Sequence, residues 1–205
     1  MDHDAAAKTR YFDGLAPRWD TIMGGAEERI SRLQSIFSSI RLSPGYRVID
    51  AGCGTGILFS SIEEKIGPSG IITALDPSPV MIRHAKEGHT QYKNIEYLVS
   101  TLEEARFVDG GHDAALCFAV IPHLESIAAG LAVVRRALKP EGRLYIFHLD
   151  DTETLNRFHG GLDAPVKHDI LPAEMELKDI LSAARFRVLT YIDRPGLNFV
   201  ESAAC

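Results

Sequence analysis

Hydrophobic positions along the chain change their spacing several times, and each change marks an element. Ile30, Leu33, Phe37 and Ile40 recur at helical spacing. They predict an amphipathic helix over residues 26–41, ended by Leu42-Ser43-Pro44-Gly45. A short apolar run from Tyr46 to Ala51 then leads through a glycine-rich turn into a helix from Ile57 to Ile66. Ile71 to Leu75 forms a second strand pattern, closed by Asp76. Ser78 and Pro79 supply an N-cap and a first residue for a helix reaching about Lys86. Ile95 to Val99 and Ala114 to Val120 read as the third and fourth strands. Leu124, Ile127, Leu131, Val134 and Leu138 line one face of the next helix. Lys139-Pro140-Glu141-Gly142 reads as a turn, and Arg143 to His148 as a fifth strand. Strands alternating with helices predict an α/β fold with a parallel sheet covered on both faces. Right-handed crossovers make that sheet doubly wound.

The last quarter is patterned differently. Residues 149–171 are rich in polar and turn residues, with one short helix from Glu153 to His159 stopped by Gly160-Gly161. Pro172 to Ala184 is helical. Arg187 to Ile192 and Leu197 to Glu201 are strands joined only by Arg194-Pro195-Gly196 and its flanks, so an antiparallel hairpin is expected. No internal repeat or low-complexity tract interrupts the pattern.

Composition narrows the function classes. A chain of 205 residues suits a single domain. The net charge is −6, and no Lys/Arg cluster exceeds a pair, which disfavours nucleic acid as partner. No apolar run approaches the roughly 20 residues of a bilayer span. Met1-Asp2-His3-Asp4 lacks the apolar core of a signal peptide. Cys53, Cys117 and Cys205 are odd in number and widely spaced, forming neither a disulfide framework nor a CxxC metal site. A cytoplasmic protein is expected, of unspecified oligomeric state.

The sharpest chemical feature is Val48-Ile49-Asp50-Ala51-Gly52-Cys53-Gly54-Thr55-Gly56, between the first strand and its helix. Glycines there let the backbone turn tightly and approach a ligand. The spacing is GxGxG, with Ile57 where a dinucleotide fingerprint wants its last glycine. Asp50 suits a ligand with a positive amino group better than a pyrophosphate. Asp76 lies 20 residues after Gly56, at the same carboxyl edge of the sheet. A carboxylate there can accept both hydroxyls of a ribose. The plain structural alternative is that the glycines only build a turn and Asp76 only caps a helix.

These stretches resemble the class I S-adenosylmethionine-dependent methyltransferases, within them the small-molecule branch related to ubiquinone and menaquinone biosynthesis. The resemblance is carried by residues 11–20 (YFDGLAPRWD), 48–56, 76–81 (DPSPVM), 107–114 (FVDGGHDA) and 138–144 (LKPEGRL). It implies a mostly parallel seven-stranded sheet, ordered 3-2-1-4-5-7-6 with strand 7 antiparallel. It implies S-adenosyl-L-methionine as cofactor and a single domain. That domain divides into a lid over residues 1–25, a cofactor-binding core over 26–148, an acceptor-side segment over 149–171, and a final helix and hairpin over 172–205. By resemblance, Gly52, Cys53, Gly54 and Gly56 wrap the methionine and ribose, with Asp50 near the amino group. Asp76 holds the ribose hydroxyls, Pro77 and Met81 flank the adenine, Phe118 lies against the methionine, and Tyr11 belongs to the lid. Thr101 and Leu102 stand where the family often has an acid and a small residue at the adenine edge.

Methyl transfer from a sulfonium needs mainly alignment and exclusion of water. A general base is needed only when the acceptor has a proton to lose. His123 and His148 follow strands four and five and are the catalytic candidates, against the plainer readings of a helix-start residue and a core histidine. His159 shares a helix face with Asn156, and with Asp150, Asp151, His168 and Asp169 marks an acceptor pocket or a metal site. The spacing matches no known ligand pattern, and no metal is expected. A small-molecule acceptor is expected, because only two short segments lie outside the cofactor core and the sheet. The competing functions are a non-catalytic cofactor-binding protein of the same fold and an NAD(P)-dependent oxidoreductase.

Overall fold

The computed structural model describes residues 3–22 and 26–205; parts of the expected lid, residues 1–2 and 23–25, lie outside the described residues. Seven strands form one sheet: β1 (Arg47–Ala51), β2 (Ile71–Asp76), β3 (Ile95–Val99), β4 (His112–Phe118), β5 (Leu138–His148), β6 (Phe186–Arg194) and β7 (Leu197–Ala204). Their order is β3-β2-β1-β4-β5-β7-β6. All neighbours are parallel except β7, which runs antiparallel to both β5 and β6. The doubly wound α/β sheet implied by the resemblance is therefore present strand for strand.

Both faces of the sheet are buried, so its strands are apolar without strict alternation. Residue parity still assigns each side chain to a face. Leu144 and Ile146 pack on one side with α6 (Ile127–Ala137) and α8 (Glu174–Ala183). Tyr145 and Phe147 pack on the other with α3 (Ala26–Phe37), α4 (Phe59–Ile66) and α5 (Pro79–Gly88). Ser78 caps α5 as expected, its hydroxyl accepting from the Met81 N–H at 3.0 Å. The remaining helices are α1 (His3–Leu15), α2 (Trp19–Ile22) and α7 (Thr152–Gly160), which Asp151 caps. No described helix is long and apolar enough to cross a membrane.

Three boundaries depart from the sequence pattern. No element is predicted for the first 25 residues, yet α1 occupies thirteen of them. Its sequence has no apolar stripe, and it packs against α5 and the turn over Ala16–Arg18. Residues 139–142 are not a free turn: β5 starts at Leu138, and the register shifts inside it, with Glu141 at a φ of 61°. Residues 139–142 have no partner on β4, so the expected turn is present as a bulge inside β5. Leu124 precedes α6 instead of belonging to it, because a 3-10 turn over Ile121–His123 intervenes and Ser126 caps the helix.

Candidate cofactor and acceptor site

Loops leaving the carboxyl ends of β1 to β4 enclose a cavity, and α1 lies over it, contributing Lys8, Thr9 and Phe12. Of the residues expected at the cofactor, Asp50, Gly52, Cys53, Gly54, Asp76, Pro77, Met81, Thr101, Leu102 and Phe118 line this cavity. Tyr11, Gly56 and His148 do not.

Asp76 organises the loop. Its Oδ2 accepts from the Gly54 N–H and its Oδ1 from the Ser78 N–H, both at 2.9 Å. Each oxygen keeps a lone pair toward the cavity. Asp50 is 1% exposed, and its Oδ2 has no partner. Burial, then the neighbouring Asp76 charge, pushes Asp50 up to about 8. Burial pushes Asp76 up to about 6, opposed by its bonds from Ser78 and Gly54 and reinforced by Asp13. Two acids are thus held close together in a protein-walled space, each raised mainly by burial. A ligand carrying positive charge and a pair of hydroxyls relieves both costs, one by neutralising and one by hydrogen bonding. The donor set therefore fits S-adenosylmethionine, whose ammonium and sulfonium are cationic.

The three loop glycines have separate reasons. At Gly52 (φ +64°) a Cβ would meet the Val120 Cγ2 at 2.3 Å. At Gly56 (φ +92°) a Cβ would sit 2.5 Å from the Phe59 ring and 2.9 Å from His89. Gly56 therefore packs against Phe59 and His89 and does not line the cavity. At Gly54 (φ +53°) the only neighbour of a Cβ is the Trp19 Nε1, at 3.7 Å. Gly56→Ala is expected to destabilise by about 2 kcal/mol or more, lowering Tm by roughly 4–8 °C. Gly54→Ala is expected to cost about 1 kcal/mol through its positive φ alone, about half the effect of Gly56→Ala, and to weaken cofactor binding. Thermal unfolding and calorimetric titration of the two variants check this contrast.

Phe118 stacks on Phe147 at 5.1 Å and carries the Arg29 guanidinium 5.4 Å from its ring centre. Arg29 is buried and lines the cavity beside Trp19. After Phe118 the chain turns sharply, with Ala119 at a φ of 55°. Only a small side chain tolerates that conformation without a larger cost.

The histidines separate. His123 is in the cavity wall, its Nδ1 2.6 Å from the Asp169 Oδ2. A carboxylate only accepts, so Nδ1 carries the proton, and Nε2 makes no hydrogen bond among the described residues. Lys8 Nζ reaches the other oxygen of Asp169 at 2.6 Å. The Phe12 ring stands edge-on to His123 at 5.2 Å. His159 donates from Nδ1 to the Asp169 carbonyl at 2.7 Å and lies 5.1 Å from His123. His148 is behind this group, 2% exposed, with neither ring nitrogen partnered. Burial, then His123 and His159, lower it to about 3. Parity along β5 puts it on the α6–α8 side of the sheet, and it does not line the cavity. His168 has no part in the cluster. Among the described residues no group of three or more His, Cys, Asp or Glu is placed to hold a metal ion.

Four residues with no named role in the sequence reading line the same cavity: Lys8, Phe12, Trp19 and Arg29. Phe12 and Trp19 sit inside the matching stretch of residues 11–20, which was a usable signal. Asp169, grouped in the sequence reading with His159 and His168 as an acceptor pocket or metal site, pairs with His123.

Residues 48–142 match the model of a methyltransferase domain. The O-methyltransferase resE of Aspergillus sclerotiorum is 27% identical, over 92% of this chain and 74% of that protein. A ubiquinone biosynthesis O-methyltransferase of Xanthomonas oryzae pv. oryzae is 31% identical over 69% of this chain, and the chain spans 60% of that protein's length. A SAM-dependent methyltransferase from Aquifex aeolicus superposes with a TM-score of 0.68 at 22% identity, covering 86% of this chain and 89% of that one. That likeness shows the fold.

Proposed function

The chain belongs to the class I S-adenosylmethionine-dependent methyltransferases, and from that premise we propose that it methylates a hydroxyl oxygen of a small molecule. The supporting observation is His123, held by Asp169 at 2.6 Å with its Nε2 bare in the cavity wall. A group of that kind is needed when the acceptor must lose a proton, as a hydroxyl must. The names of both relatives described above, each an O-methyltransferase, agree with it.

When bound, the cofactor supplies a methyl carbon activated by its sulfonium leaving group. The chain does the rest. Asp50 takes the amino group through its unpartnered oxygen, and Arg29 takes the carboxylate. Asp76 accepts the ribose hydroxyls with the lone pairs its two backbone bonds leave over. Pro77, Met81 and Leu102 wall the adenine, and the Thr101 hydroxyl can donate to its edge while accepting from the Glu104 N–H at 3.3 Å. Phe12 and Trp19 exclude water over the reacting centre. His123 Nε2 receives the acceptor's proton as the oxygen becomes nucleophilic. Such positioning can be worth roughly 7–11 kcal/mol. An acidic chain with no basic run fits a small acceptor better than a nucleic acid.

Calorimetric titration with S-adenosylmethionine, then methyl transfer to a panel of phenols, catechols and aliphatic alcohols, tests the reading. Saturable binding and methylated hydroxyl product are expected. Absence of binding at millimolar cofactor, or transfer only to amines or thiols, overturns it.

A further inference from the structure

Lys8 and His123 share one carboxylate. Lys8 belongs to α1, the element lying over the cavity; His123 follows β4; Asp169 stands in the segment between α7 and α8. The other end of α1 is tied independently, where the Ser78 hydroxyl donates to Asp13 Oδ1 at 2.5 Å. Lys8 Nζ also approaches the His123 carbonyl oxygen at 3.4 Å. The helix therefore contacts the histidine by charge, by hydrogen bond and, through Phe12, by packing.

We propose that Asp169 is the positioning residue for His123 and that Lys8 arms this histidine when α1 closes over the cavity. The inference rests on the hydroxyl-acceptor reading for its purpose, and on geometry alone for its content. Asp169 fixes the tautomer, because its oxygen requires the proton on Nδ1 and leaves Nε2 to the acceptor. With α1 in place, Lys8 and Asp169 balance one another, which weakens the carboxylate's hold on an imidazolium proton at His123. With α1 lifted, Asp169 faces His123 alone, and an unbalanced carboxylate favours the imidazolium, which cannot take a proton. The histidine becomes a base only under a closed lid.

The titratable and charged groups around His123 come from every neighbouring element: Lys8 from α1, His148 from β5, His159 from α7, Asp169 after it, and Glu125 nearby on the cavity rim. Burial, then His123, lowers His159, and burial lowers His148, so neither adds positive charge near neutrality. Burial raises Asp169, but the hydrogen bonds from His123 and Lys8 outweigh it and hold the carboxyl below its ordinary range. Asp169 is thus the anion, Lys8 the cation, and His123 the group whose charge their balance decides.

The test is long-range proton–nitrogen NMR of the full chain with S-adenosylhomocysteine, with the His123 signal identified by its loss in His123→Gln. Wild-type protein is expected to show the Nδ1-protonated tautomer. Lys8→Met should move the His123 titration midpoint to higher pH and Asp169→Asn to lower pH, each by about one unit. Asp169→Glu should recover the wild-type tautomer, and the acidic limb of the kcat/KM profile should follow the same displacements. Midpoints equal to wild type, or displaced in the same direction in Lys8→Met and Asp169→Asn, overturn the proposal. If no hydroxyl compound is methylated but the opposed displacements are seen, the acceptor reading fails and the lid-coupled pair stands.

Discussion

Asp76→Ala weakens S-adenosylmethionine binding by about 10²–10⁴-fold while leaving a folded protein, as calorimetry and circular dichroism will read it. The carboxylate is placed to make two charge-assisted bonds to a ribose, each worth about 1.5–3 kcal/mol. Tenfold in affinity is about 1.4 kcal/mol, which sets the range. The variant also strips the Gly54 and Ser78 N–H groups of their acceptor. That loss loosens the loop and the start of α5, and adds to the binding defect. The strand itself survives, because Asp76 pairs with Val99 through its backbone. Removing a buried acid also offsets part of the stability lost with the two bonds. Affinity within threefold of wild type would show that another residue holds the ribose.

The same two acids fix how the protein answers to pH. Without ligand, Asp50 is raised to about 8 and Asp76 to about 6, both by burial first. Unfolded, each releases its proton near 4. Between about pH 4 and 8 the folded chain therefore holds protons that the unfolded chain has lost, so stability falls as pH rises through that window. A cationic ligand prefers the ionised carboxylates, so its affinity rises over the same window. Tm of the free protein should fall from about pH 6.5 to 8, above the range in which the lowered His148 acts in the opposite sense, less steeply in Asp50→Asn, while the Tm gain on adding cofactor should grow.

That the glycine loop and Asp76 line one cavity was legible because the signal is local. One loop of nine residues, one acid after the next strand and one capped helix carry it, and strand–turn–helix geometry places them at a common edge. All seven strands were legible for the same reason, since each is a short apolar run between turn residues. The acceptor half was not. His148 and His123 both follow strands at the ligand edge, but a strand end says nothing about which face the side chain takes. Parity along β5, with Ile146 on the α6–α8 side and Phe147 on the other, sends His148 behind the site. Asp169 lies 46 residues from His123 in a segment of turns, where no periodicity marks a partner. Lys8 sits on a helix whose stability is tertiary. Long-range pairs of this kind are fixed by packing, and a single sequence carries no trace of them.

His123→Gln is expected to lower kcat by about 10²–10⁴-fold, the usual worth of a general base. Cofactor affinity should stay within a few-fold, because the cofactor's own contacts lie at Asp50, Asp76 and Phe118. Glutamine can still reach Asp169 and pack against Phe12, but it cannot take a proton from the acceptor. A phenolic acceptor then reacts only as its own phenolate. The rate of the variant should therefore climb with pH toward the acceptor's ionisation, near 10 for an ordinary phenol, and approach wild type there. Wild-type protein should instead level off once His123 is neutral. Initial rates for both proteins on one phenol, from pH 6 to 10, separate the possibilities. A parallel loss at every pH would mean that His123 only shapes the pocket. A kcat within threefold of wild type at neutral pH would mean that deprotonation needs no protein base. The expected convergence at high pH follows only if the imidazole acts on the acceptor's proton, since neither a packing defect nor a cofactor-binding defect is repaired by alkali.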